Sequence, residues 1–376
     1  MERLKIVFCY YDNINYEARG AEELECLLSL GDVFFVSIQK AVSPLFNQSA
    51  QFITKRRNYF RFLSLSKKVI KRIKPDIVFL HDNYCAALIP FIKKRSPSSM
   101  ITYDMSELYI GDIQRGKHKW LTKILLNDKE LKYLKKADLV FCANEERAYI
   151  SKGYYSLDKL PLVFDNMHKI TDEFNEDECN EKYGSLLDGE EFTGLYCGGL
   201  IDGGERDIIP IIDAFTQLGN GYRLIIAGSS LEEKNVLDEL QKNNSNVGNV
   251  AYIGKVNRNV LKYLYTKTKF SIISFKLTDV NTIYCASGKL FESIFCKRPI
   301  VLSDNPPHIR MIERYRIGTL SKNHDYAKAI EEMKDNYDTL LDNVCKLSDS
   351  LDYEKRLKSL KEFIQTNYEI FKKTQK

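Results

Sequence analysis

The sequence predicts an α/β protein of two domains, each built around a parallel β-sheet, and three observations predict it. Strand-length apolar runs alternate with helical stretches along nearly the whole chain, the pattern of a sheet covered on both faces. The alternation runs once, is interrupted by an acidic stretch at 171–191, and then starts again. At 376 residues the chain is long enough to bury two cores of ordinary size.

In the first half, strands are expected over 4–9, 33–38, 76–80, 100–103 and 139–142, with helices over 17–30, 53–73, 84–94 and 118–136. The run Pro161-Leu162-Val163-Phe164 closes this half, and the acidic stretch reads as a hinge. The second half is expected to place strands over 193–197, 223–227, 250–253, 270–273 and 300–302, with a helix over 208–218. A polar helical tail ends the chain. The division drawn from this is a first domain over 1–170, a second over 171–350, and a terminal helix over 351–376 that packs back toward the first. Ligands of open parallel sheets bind beyond the C-terminal ends of the strands, so two such sheets would face each other across a cleft.

Composition narrows the setting. No stretch approaches the roughly 20 apolar residues that span a bilayer, and the N-terminal MERLKIVFCYYD has no apolar segment followed by a cleavage site, so a cytoplasmic protein is expected. Nine dispersed cysteines, without metal-site or redox spacing, read as reduced, buried thiols. Charge is uneven. Residues 1–170 carry 28 Lys and Arg against 19 Asp and Glu, and the remainder reverses the balance with 28 against 32. Nine of the basic residues fall in 54–74 with no acidic one, and Tyr59, Phe60, Phe62, Leu63 and Leu65 interleave with them. That is a basic amphipathic helix, suited either to an anionic membrane surface, such as the inner face of the cell membrane, or to packing on its own sheet. No nucleic-acid-binding motif accompanies the charge, so a nucleic-acid partner is not expected.

The densest chemistry lies in SGKLFESIFCKRPIV, residues 287–301. Ser287 and Gly288 would open a helix whose first amide N–H groups attract a phosphate, aided by the positive end of the helix dipole. Lys289 adds an ammonium at the same mouth, and Glu292, three positions on, projects from the same face. A carboxylate there suits a diol better than a phosphate. An ordinary amphipathic helix feeding the strand at 300–302 is the plainer alternative. Elsewhere, Gly198, Gly199, Gly203 and Gly204 follow the strand at 193–197 and let the backbone approach a ligand closely, with Arg206 the one cation of that turn. In ITYDMSELY, Asp104 and Glu107 stand at a strand end, where a carboxylate could orient a hydroxyl or act as a base, or where Asp104 could cap a helix. His81 and Asp82 follow another strand.

The segment 287–301 resembles the donor-site motif of GT-B glycosyltransferases, in which a Lys-Leu-Phe-Glu box follows a small-residue turn and precedes a Gly-Lys-Pro-Val stretch, here Cys296-Lys297-Arg298-Pro299-Ile300-Val301. The resemblance extends over nearly the whole chain, strongest from Gly194 to Val301, and is to the family 4, or group 1, type of bacterial polysaccharide biosynthesis. It implies a GT-B fold of two Rossmann-like domains facing across a cleft. It also implies that Glu292 binds the donor ribose, that Lys289, Ser287, Gly288, Gly199 and Arg206 face the diphosphate, and that Gly254 lies beside the base. By the same resemblance Arg19 sits near the transferred sugar or its phosphate, and Asp104 and Glu107 stand at the mouth of the cleft; together with His81, which would face the same cleft from its strand end, they are the candidate catalytic residues. Two departures stand out. Tyr284 occupies the place of a second glutamate found in many retaining members, and Ser106 replaces a histidine in the Tyr-Asp-x-His-Glu-Leu pattern.

The expected activity is transfer of a hexose from a UDP- or GDP-type sugar to a hydroxyl of a growing glycan, and the basic helix points to a lipid-linked surface polysaccharide; retention is slightly favoured over inversion. No metal or further cofactor is expected, since cations could neutralise the leaving diphosphate. A non-catalytic partner of an active glycosyltransferase and a sugar-nucleotide epimerase of the same fold are the alternatives.

Overall fold

The computed structural model describes residues 3–54, 57–111, 119–189, 191–199, 206–228 and 249–375. The chain forms two compact units, one from Met1–Asn166 with Tyr353–Lys376 and the other from Met167–Asp352. No helix among the described residues is long and apolar enough to cross a membrane.

The first unit holds seven parallel strands: β1 (Leu4–Tyr10), β2 (Gly31–Ser37), β3 (Ala50–Ile53), β4 (Ile77–His81), β5 (Met100–Met105), β6 (Leu139–Cys142) and β7 (Leu162–Val163), in the order β3-β2-β1-β4-β5-β6-β7. Strands β4 and β5 are buried along their whole length, because helices cover both faces of a parallel sheet. Phe8, Phe35, Phe79 and Phe141 fill one face, with Phe8 edge-on to Phe79 at 5.4 Å between ring centres. Burying each such ring stabilises by about 1.5–3 kcal/mol.

The stretch expected as one helix over 53–73 divides. Residues 50–53 become the edge strand β3, paired to β2, and the helix runs Tyr59–Ile73. Its start is fixed by Asn58, whose side chain accepts the Arg61 amide, and it stops where Lys74 turns left-handed at φ 51° before Pro75. Phe62, Val69 and Ile70 face inward while Arg61, Lys68, Lys71 and Arg72 remain exposed. Lys55 and Arg56 of the basic stretch lie outside the described residues.

The terminal helix Tyr353–Thr374 joins this unit. Leu360, Ile364, Tyr368 and Phe371 recur at helical spacing and enter the core, and Arg356 bonds Glu22 at 2.9 Å.

The second unit holds β8 (Phe192–Cys197), β9 (Tyr222–Ala227), β10 (Val250–Gly254), β11 (Phe270–Ile273), β12 (Ile300–Ser303) and β13 (Gly318–Ser321), all parallel, in the order β10-β9-β8-β11-β12-β13. Strand β13 has no strong apolar run and was not expected. It fits beside β12 because Gly318 has no side chain: a Cβ there would lie 1.8 Å from the Ile300 carbonyl oxygen. The change of unit falls at Asn166–Met167, and the acidic stretch 171–191, read as a hinge, belongs wholly to the second unit. It carries the helix Glu176–Tyr183, whose Cys179 and Tyr183 pack with Tyr263 and Leu264. Both sheets reverse strand order beside their first strand, between β1 and β4 and between β8 and β11. Those reversals open the crevices where such sheets bind ligands.

Candidate functional site

In the second unit the residues after β8, β9 and β10 form a floor of bare backbone. Gly228 donates its amide to the Gly254 carbonyl at 3.0 Å, and a Cβ on Gly228 would meet the Gly198 oxygen at 2.0 Å. Only glycine allows that approach. Gly254 is held at φ +74°, a conformation side chains disfavour. Gly199 is exposed, and its carbonyl accepts the Tyr196 hydroxyl at 2.9 Å. The rest of the glycine-rich turn, residues 200–205, and Ser229 and Ser230 lie outside the described residues.

Arg206 stands at the β8–β11 reversal. One of its Nη atoms donates to the Ser274 carbonyl at 3.1 Å, and its guanidinium lies 3.5 Å over the Phe275 ring. It makes no ion pair with a carboxylate among the described residues. A cation held by neutral groups keeps its charge for an anion.

The helix before β12 runs Gly288–Phe295 with Ser287 at its N-cap, although the Ser287 side chain makes no capping bond. The helix opens against His168, and a Cβ on Gly288 would lie 2.3 Å from that imidazole. Leu290, Glu292, Ser293 and Ile294 are buried, and Lys289, half-buried, lies one turn before Glu292. Glu292 is 6% exposed, and its Oε2 is sealed from solvent without a hydrogen-bond partner among the described residues. Its other oxygen is 3.9 Å from Arg258, which bonds Asp172 at 3.1 Å. A buried carboxylate oxygen without a donor is costly, by about 1–3 kcal/mol, unless something absent from the chain supplies one. Arg258 carried no signal in the sequence, because it is brought to Glu292 only by folding.

The segment before this helix is pinned from below. His308 is buried and accepts the Cys285 thiol at 3.3 Å while its Nδ1–H donates to the Ser303 carbonyl at 3.0 Å. Burial pushes its pKa down to about 4, so the ring is neutral at ordinary pH. Asn305 donates to the Thr282 carbonyl at 2.8 Å, adding a second tie.

In the first unit the candidate residues gather at the ends of β1, β4 and β5, and they divide into two layers. The lower layer is closed. Arg19, expected beside the sugar or its phosphate, is 1% exposed and bonds Asp104 through two nitrogens at 2.6 and 2.7 Å, the Phe164 carbonyl at 2.5 Å and Asn166 at 2.9 Å. Asp104, expected as a base or cap, is fully buried, and although burial opposes its charge, Arg19 holds its pKa below the usual value. His81 bonds Glu23 at 2.7 Å; burial would lower its pKa, but the Glu23 carboxylate overrides this and lifts it to about 10. These three residues are therefore spent on one another and on Glu23, an internal ion-pair cluster rather than groups free to exchange protons. Glu23, His81 and Asp104 bring one ligand atom each within 4.8 Å, but the Arg19 guanidinium already supplies the positive charge a metal would bring there.

The upper layer is open, a pocket of about 260 Å³ lined by Tyr11, Asp12, Glu17, Asp82, Tyr84 and Glu107 among others. Glu107 is 41% exposed and loosely paired to Arg147 at 3.6 Å. Asp82 adopts φ +63°, ψ 173°, a region nearly reserved for glycine. Burial lifts its carboxyl to about 6. The sequence marked Asp82 only as a strand-end neighbour of His81.

No family model and no curated protein sequence matches the chain. Solved structures do. Sucrose-phosphate synthase from Thermosynechococcus elongatus superposes with a TM-score of 0.71 at 13% identity, over 98% of this chain and 100% of that one. Anabaena HepE, solved with UDP and glucose, gives 0.70 at 12% identity over 97% and 100%. WaaG, a glycosyltransferase of lipopolysaccharide biosynthesis, gives 0.67 at 12% over 96% and 99%. The fold is GT-B. The GT-B architecture accounts for the paired Rossmann-like sheets and for the position of each candidate cluster at a strand-order reversal.

Proposed function

We propose that the protein is a glycosyltransferase that takes a sugar from a nucleoside diphosphate sugar of the UDP or GDP type, binding the donor in its second unit. The observation that carries this reading is the buried, unpartnered Oε2 of Glu292, beside Lys289 and a helix N-terminus. A ribose diol supplies the hydrogen-bond donors Glu292 lacks, and the diphosphate suits Lys289, Arg206 and the helix-end amides. HepE, of the same fold, was solved with UDP-glucose. The same cations would stabilise the negative charge that gathers on the diphosphate as the glycosidic bond breaks.

The acceptor is assigned to the pocket of the first unit, with Glu107 as the accessible carboxylate and Arg19, Asp104 and His81 as its rigid base. Retention is the favoured outcome, because Asp104 and His81 are bound to partners and poorly suited to take a proton. The exposed Arg61, Lys68, Lys71 and Arg72 of the helix Tyr59–Ile73 suit an anionic membrane, and hence a lipid-linked glycan acceptor.

Screening UDP- and GDP-sugars for thermal stabilisation tests the donor assignment, since a bound donor raises apparent stability with its affinity. At least one is expected to raise the melting temperature, and Glu292→Ala and Lys289→Ala are each expected to abolish the shift. Unchanged shifts in both variants would sink the assignment.

A further inference from the structure

The first unit's pocket has an electrostatic character that bears on the acceptor. Its lining carries the carboxylates Asp12, Glu17, Asp82 and Glu107, and among the described residues its lining cations are Arg19 and His81. Both are already neutralised from beneath, Arg19 by Asp104 at 2.6 Å and His81 by Glu23 at 2.7 Å. Around the rim, Arg57 lies 3.7 Å from Asp12 and Arg147 3.6 Å from Glu107. Among the described residues, every cation at this pocket thus has a carboxylate of the chain beside it. A phosphate or carboxylate placed there would face like charge, with no free cation among the described residues to receive it.

The pocket does offer hydrogen-bond acceptors and a ring surface. Asp82 receives the Tyr109 hydroxyl at 2.9 Å on one oxygen, while its other oxygen has no partner among the described residues. Its strained backbone, φ +63°, holds this carboxylate at the end of β4. Tyr11 and Tyr84 lie with ring centres 4.8 Å apart at 38°, a compact aromatic wall beside the acids. Carboxylate acceptors beside an aromatic wall match the hydroxyls and the apolar C–H face of a sugar ring.

Building on the glycosyl-transfer reading, we infer that this pocket selects an acceptor by an uncharged, hydroxyl-bearing sugar face, with Asp82 and Glu107 accepting its hydroxyl hydrogen bonds against the Tyr11–Tyr84 wall, and that it rejects acceptors phosphorylated on that face. Asp82 acts here as a binding and positioning group, and the inference assigns it no proton transfer.

The test uses the intact chain, the nucleotide sugar that stabilises it most, and matched acceptors: methyl glucoside, methyl galactoside and methyl mannoside, each beside its 6-phosphate. Transfer to at least one neutral glycoside is expected, at ten times or more the kcat/KM of its 6-phosphate. Asp82→Asn, whose asparagine tolerates positive φ, is expected to raise the acceptor KM at least tenfold with the donor affinity unchanged. Glu107→Lys is expected to narrow the preference against the 6-phosphates. Equal or better use of the 6-phosphates overturns the inference, as does an acceptor KM unmoved by Asp82→Asn, or no transfer to any glycoside from a donor that binds. Failure of every nucleotide sugar to bind would instead overturn the glycosyl-transfer reading, and this inference with it.

Discussion

Glu292 concentrates the tension between stability and activity in a single residue. Its Oε2 is buried without a donor among the described residues, so the folded chain carries a cost that a bound diol would relieve. Glu292→Gln should leave melting temperature unchanged or raised while donor affinity falls about 10- to 100-fold, the worth of a hydrogen bond to a charged group. Calorimetric titration with the stabilising nucleotide sugar reads this directly. Arg19 should behave in the opposite way. Removing it leaves Asp104 buried without its counter-ion, so Arg19→Met is expected to destabilise the first unit by about 3–5 kcal/mol in urea unfolding.

Two histidines should give the units opposite responses to pH. His81 has its pKa raised from 6.5 to about 10 in the folded chain, so its contribution is full below pH 6.5 and is lost as pH rises toward 10. His308 has its pKa lowered from 6.5 to about 4, so its stabilising effect is present above 6.5 and fades as pH falls toward 4. Melting of the wild type at pH 5, 7 and 9, beside His81→Asn and His308→Asn, is expected to flatten the alkaline loss in the first variant and the acid loss in the second.

At the scale of elements, the terminal helix Tyr353–Thr374 is as much a part of the first unit's core as any central strand. Leu360 and Ile364 are 1% and 0% exposed, and their neighbours come from the chain's first residues onward. Ile364→Ala should cost about 2–5 kcal/mol, measured by urea unfolding, because the rigid surroundings cannot close the cavity. The helix Gly288–Phe295 is limited by a different contact, the His168 ring against its first residue.

Across the whole molecule the surplus of positive charge falls on residues 1–170, and the exposed cations of the helix Tyr59–Ile73 concentrate it on one surface. Sedimentation with vesicles of anionic lipid is expected to retain the wild type. Joint replacement of Arg61, Lys68, Lys71 and Arg72 by Glu should reduce retention more than tenfold, since each cation near such a surface is worth about 1 kcal/mol. Retention by neutral vesicles alone would contradict the electrostatic account.

The periodic elements and the chemical content of 287–301 were legible in the sequence, because hydrophobic period is a local property that a helix or strand needs wherever it lies. Strands β3 and β13 escaped it, since an edge strand needs one good neighbour more than an apolar run. The surroundings of each candidate, in contrast, came from the fold. It turned Arg19, Asp104 and His81 inward, Arg19 paired with Asp104 and His81 with Glu23, and brought Arg258 to Glu292 across 34 positions of chain. It also left Asp82 at the open pocket. Burial and pairing set the charge and reach of an ionisable group, and both depend on residues far apart in sequence that only the folded chain brings together.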